Sequence, residues 1–108
     1  MLLTRRVTYA DLELLPEDGV RREIYYGELI VLASPNKEHQ DVLANLNDIV
    51  RPFVRQNKLG YVAFAPFDVV FEPDQTTIPD YLFVRTERMY LVQNRAVLGA
   101  PEIGRAHV

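Results

Sequence analysis

From Lys37 onward the apolar positions Val42, Leu43, Leu46, Ile49, Val50, Phe53 and Val54 recur at the spacing of one helix face. That stripe predicts an amphipathic helix, the clearest periodic element in the chain. Pro52 lies inside it, lacks an amide hydrogen and collides with the carbonyl one turn earlier, so a kink near Asp48 or an early end is expected. Asn57 to Gly60 supply the stop. Ahead of the helix the period changes. Glu23 to Leu32 is rich in β-branched and aromatic residues on both sides of Gly27, which predicts a tight hairpin, and Ser34-Pro35-Asn36 ends it. Nearer the start, Thr8 and Asp11 are spaced to cap a short helix through Tyr9, Leu12, Leu14 and Leu15, ended by Pro16 and Gly19. Beyond the long helix, Tyr61 to Phe71 reads as one long strand with Pro66 in its middle. Pro73 to Thr77 reads as a turn into an antiparallel return strand, Ile78 to Val84, and Thr86 to Tyr90 as one helical turn. The stretch from Gly99 to Val108 has no periodicity. Without a repeat or a linker to divide it, the chain is expected to be one α/β (α+β) domain over residues 1–108, with 103–108 as an atypical tail.

Charge and residue usage narrow what such a domain can do. Twelve Lys plus Arg against fifteen Asp plus Glu leave a net charge of -3, which disfavours coating nucleic acid by bulk electrostatics. A nuclease is not excluded, because carboxylates that hold a divalent cation bring positive charge to a phosphate. The absence of cysteine removes disulfides, thiolate metal sites and cysteine nucleophiles, and fits a reducing compartment. No apolar run approaches the roughly 18 residues that span a bilayer, and Met1-Leu2-Leu3-Thr4-Arg5-Arg6 lacks signal-peptide architecture, so a cytoplasmic address is expected.

Among residues able to carry chemistry, Pro79-Asp80 stands out, because proline fixes the backbone before the acid and Tyr81 to Val84 anchor it at the mouth of a buried strand. Such a carboxylate suits Mg²⁺, although Pro-Asp also closes ordinary turns. Glu23 and Glu28, on opposite limbs of the hairpin, are either solvated or sources of a second carboxylate. Asp68, among apolar neighbours, must face solvent or join a polar site. His39 falls in the first helical turn, where the dipole favours the neutral ring, a form able to take a proton or bind a metal. Arg51, Arg55 and Lys58 follow roughly helical spacing and either meet phosphates or form a solvated face. With His39 and His107 as the sole histidines, no Ser-His-Asp set and no Gly-rich phosphate loop can be drawn, and His107 has no assigned role.

The order of these segments resembles the Uma2 family, formerly the domain of unknown function DUF820, a bacterial family linked to endonucleases. The resemblance runs from about residue 8 to 102. It rests on Arg22-Glu23-Ile24-Tyr25-Tyr26-Gly27-Glu28-Leu29, then Ser34-Pro35 and Glu38-His39-Gln40 opening the helix, Pro66-Phe67-Asp68-Val69, Pro79-Asp80-Tyr81-Leu82-Phe83-Val84 and Gly99-Ala100-Pro101-Glu102. It implies the PD-(D/E)xK restriction-endonuclease-like fold, a mixed sheet flanked by helices, and Mg²⁺-dependent hydrolysis of DNA phosphodiesters. By position, Asp80 is implied as the metal ligand, and Glu23 and His39 fall on polar positions of the family pattern, counted with Asp80 in the implied catalytic set. Family members continue past Ala-Pro-Asp/Glu into a strand bearing a second acid and a lysine-bearing helix. Here Gly104-Arg105-Ala106-His107-Val108 stands in that place, so the C-terminal part of the fold is expected to be missing and the chain alone inactive. A sheet edge and an apolar helix face left uncovered would favour a homodimer or higher homo-oligomer. The rival expectation is a non-enzymatic, self-associating interaction module. DNA binding without cleavage is disfavoured by the acidic balance.

Overall fold

The computed structural model describes residues 6–105. The hairpin forms as β1 (Arg21–Tyr25) and β2 (Glu28–Leu32), in antiparallel register from Arg21↔Leu32 to Tyr25↔Glu28. Tyr26 and Gly27 carry it with φ of 49° and 82°, the two successive left-handed residues that a two-residue hairpin loop needs. Before it, Thr8 leads into α1 (Tyr9–Glu13), and the Asp11 carboxylate accepts the Thr8 amide at 2.9 Å, as the spacing predicts.

The long helix α2 runs Lys37–Gln56, and the Asn36 side chain accepts the His39 amide at 2.9 Å to cap it. The early end expected at Pro52 does not occur. Pro52 sits on the exposed side within one turn of the C-terminus, while Val54 beyond it is buried and holds the last turn against the sheet. The helix then closes at Asn57, and Lys58 takes a left-handed φ of 52°.

The segment read as one strand over Tyr61–Phe71 is two. It divides into β3 (Gly60–Phe64) and β4 (Asp68–Glu72) on either side of a cis Ala65–Pro66 bond, and the two strands join different sheets. The supposed turn at Pro73–Thr77 is shorter than expected, because Gln75–Thr77 is itself a strand, β5, antiparallel to both β1 and β4. β6 begins at Tyr81 rather than Ile78 and runs to Arg85, followed by a 3₁₀ helix over Thr86–Leu91, then β7 (Ala96–Val97) and β8 (Ile103–Arg105). The start of the expected tail is therefore strand, and residues 106–108, His107 among them, lie outside the described residues.

One sheet has the order β2-β1-β5-β4-β7, with β4 and β7 parallel and its other pairings antiparallel, and the second has the order β3-β6-β8. Side-chain alternation along β6 explains how the layers stack. Tyr81 joins Val62 and Val54 in one apolar cluster, against which Leu43, Leu46 and Val50 of α2 pack, while Leu82 and Val84 join Ala63, Val69 and Val97 in another. The three-stranded sheet is thus covered by α2 on one face and by the five-stranded sheet on the other. A strand buried on both faces reads as the unbroken apolar run Tyr81-Leu82-Phe83-Val84. Among the described residues no helix is long and apolar enough to cross a membrane.

Candidate active site

Three side chains from distant parts of the sequence meet where the chain enters β6. Asp80 is 4% exposed, with Pro79 buried before it and Tyr81 and Leu82 buried after it. Its peptide carbonyl accepts the Ala65 amide at 3.1 Å, which ties the entrance of β6 to the end of β3. Its carboxylate Oδ2 lies 3.1 Å from His39 Nε2, and Oδ1 lies 3.8 Å from Arg21 Nη2. His39 reaches it from the first turn of α2 and Arg21 from the start of β1. A buried carboxylate is costly unless it is paired, and here an imidazole and a guanidinium flank it. The cluster opens onto a cleft of about 1060 Å³, lined by Arg21, His39, Ile78 and Phe64 among others.

Glu23 stands two residues from Arg21 on the same face of β1. Its Oε2 accepts the Ile78 amide at 2.7 Å and the Thr77 hydroxyl, so it clamps the segment leading to Asp80. Glu28 is exposed at the hairpin end, opposite Tyr25. Arg51, Arg55 and Lys58 are exposed on or just past the last turns of α2.

Asp68 joins a polar site. It is half-buried on β4, accepts the Tyr9 hydroxyl at 2.8 Å and lines the cleft. Burial pushes its carboxyl above the ordinary 3.8, against the Tyr9 hydrogen bond and with a smaller push from Glu13. Burial, followed by the bond to Asp68 and its charge, also pushes Tyr9 upward. An acid raised by folding adds stability that is complete below its unfolded value and lost as the pH rises through the raised one. Asp68→Asn, whose amide oxygen can still accept from Tyr9, is therefore expected to be at least as stable as the parent at pH 7. The parent should gain on the variant as the pH falls toward 3.8, and paired urea titrations over that range check the sign.

Arg21 is the residue that sequence reasoning missed. In the sequence it is one of two adjacent arginines, Arg21-Arg22, and strand alternation separates the two. Arg22 turns to the other side and pairs with Asp18 at 2.8 Å, while Arg21 shares the Glu23 face and reaches Asp80. Period-2 counting through Glu23 would have found it.

As to a metal ion, Asp80 and His39 offer one carboxylate and one imidazole, donor types suited to a divalent cation. Among the described residues no group of three His, Cys, Asp or Glu side chains is placed to hold one. The donor set fits in part.

The sequence profile of the Uma2 family, described as "Putative restriction endonuclease", matches residues 8–103. The chain belongs to the Uma2 family. A solved structure, described as "a putative nuclease belonging to DUF820" from Anabaena variabilis ATCC 29413, superposes with a TM-score of 0.73 at 20% identity. It covers 88% of this chain and 54% of that one, so the Uma2 fold is shared while this chain spans about half the length of its structural relative. No curated protein matches the chain. Within the Uma2 chain, Arg21 and His39, whose side chains face Asp80, line the cleft.

Proposed function

We propose that this Uma2 chain carries one part of the active site of a cytoplasmic, Mg²⁺-dependent endonuclease that hydrolyses DNA phosphodiesters, and that it is inactive by itself. The observation that supports this reading is Asp80, a buried carboxylate held by His39 and Arg21, both of which line a large cleft. Asp80 would hold the cation through its carboxylate. When bound, the cation supplies a Lewis acid and a more acidic water. His39 fixes the orientation of the Asp80 side chain, and Glu23, through the Ile78 amide, fixes the backbone before it. Mg²⁺ is usually held through one or two carboxylates together with waters and phosphate oxygens, and among the described residues no group of three His, Cys, Asp or Glu side chains gathers at Asp80, which makes for a weak hold. Nor does the cluster contain a lysine to stabilise transition-state charge.

The test is cleavage of supercoiled plasmid, with calorimetric titration of Mg²⁺. The chain alone should show no cleavage above background and weak Mg²⁺ binding that Asp80→Asn removes. Cleavage that survives both EDTA and Asp80→Ala rejects the metal reading, and vigorous Mg²⁺-dependent cleavage by this chain alone rejects its incompleteness.

A second reading, a self-associating module, is favoured by one observation: Val42, Ile49 and Phe53 lie along one stripe of α2 and are each more than half exposed. Sedimentation equilibrium should then show a mass that climbs with concentration. A constant monomer mass would dismiss it.

A further inference from the structure

We propose that Arg21 is an oxyanion receptor, and that its ligand is the monoanionic phosphate of a phosphodiester; this rests on the nuclease reading above and assigns its substrate contact to a residue of β1. A guanidinium carries five N–H donors in a planar fork and cannot shed its charge, so once withdrawn from water it must find acceptors. The Arg21 side chain is nine-tenths buried. Its Nε is fully buried and has no hydrogen-bond partner among the described residues. Its Nη2 contacts are long, 3.5 Å to the Ile78 carbonyl and 3.8 Å to Asp80. A charged donor set so weakly used inside a folded protein is uncommon, because each unmet buried donor costs free energy.

The surroundings select the class of acceptor. Arg21 lines the same cleft as His39, which stands in the first turn of the 20-residue α2, at the positive end of that helix dipole. Among the described residues Asp80 offsets the guanidinium charge, with one carboxylate oxygen toward His39 and the other toward Arg21. Glu23, the other acid on the Arg21 face, is engaged by Thr77 and Ile78. A tetrahedral anion offers two oxygens to the fork, the bidentate geometry in which arginine exceeds lysine. Placed there, a phosphodiester would lie beside the carboxylate that the nuclease reading assigns to the cation.

The experiment is an NMR titration of the ¹⁵N-labelled protein in EDTA with diethyl phosphate, against potassium chloride at equal ionic strength. The Arg21 Nε–H resonance and the His39 amide should shift saturably, and Arg21→Lys should weaken the binding roughly tenfold and Arg21→Gln more. Shifts that match those of chloride, or saturation centred on Arg51 and Arg55 with Arg21 unmoved, overturn the proposal. Should Arg21→Gln fail to fold, the parent titration decides. Because the titration contains no metal and needs no turnover, a failed cleavage assay leaves its result intact, and a failed titration leaves the role of Asp80 standing.

Discussion

Replacing Leu82 by alanine should lower the unfolding free energy by about 2–5 kcal/mol, a large share of the roughly 5–10 kcal/mol available to a domain of this size. Leu82 is fully buried at the centre of β6, where it packs with Ala63 of the same sheet and with Val69 and Val97 of the other. Truncation removes a large apolar side chain from the seam between the two sheets, where neither sheet can close the gap without breaking its own ladder. Urea unfolding at constant slope should show the midpoint falling. A loss below about 1 kcal/mol would mean that the seam is far looser than described.

The second large effect is expected at Asp80. Asp80→Ala leaves the Arg21 guanidinium nine-tenths buried without its carboxylate and removes the acceptor facing His39. Breaking a buried pair from one side costs about 3–5 kcal/mol. The 3.8 Å separation from Arg21 places this case near the lower bound, about 3 kcal/mol. Removing both charges, as in Arg21→Leu with Asp80→Leu, should recover much of that loss, since apolar groups of similar volume need no partner. A double-mutant cycle on urea midpoints reads the coupling directly. Asp80→Ala as stable as the parent would show the pair to be energetically idle.

Which parts of this were legible in the sequence follows from the range of the forces involved. The hairpin and α2 are local, set by side-chain period and by Gly27 and Asn36, and both were readable residue by residue. Pro52 does not end the helix early because its cost is fixed within one turn, while the burial of Val54 that outweighs it comes from β3 and β6. The division at Pro66 was hidden for a similar reason. Apolar content on both sides of it fits one strand as well as two, and the choice of sheet belongs to the pairing partners, β6 for β3 and β5 with β7 for β4. At the site, Asp80 announced itself through Pro79 and the run behind it. Its meeting with His39, 41 positions earlier, and Arg21, 59 earlier, depends on three elements converging, which no spacing rule encodes. Glu23 was visible as a polar residue, but its engagement with the Ile78 amide was not.

Strand β2 carries a practical corollary. Among the described residues it has a neighbour on one side only, and Leu29, Ile30 and Val31 are all exposed along it. No lysine or proline interrupts Glu28–Leu32 to discourage a second chain from docking there. Heated samples should therefore gel or precipitate through intermolecular ribbon growth, giving scan-rate-dependent melts, and a lysine at Ile30 would be the economical remedy.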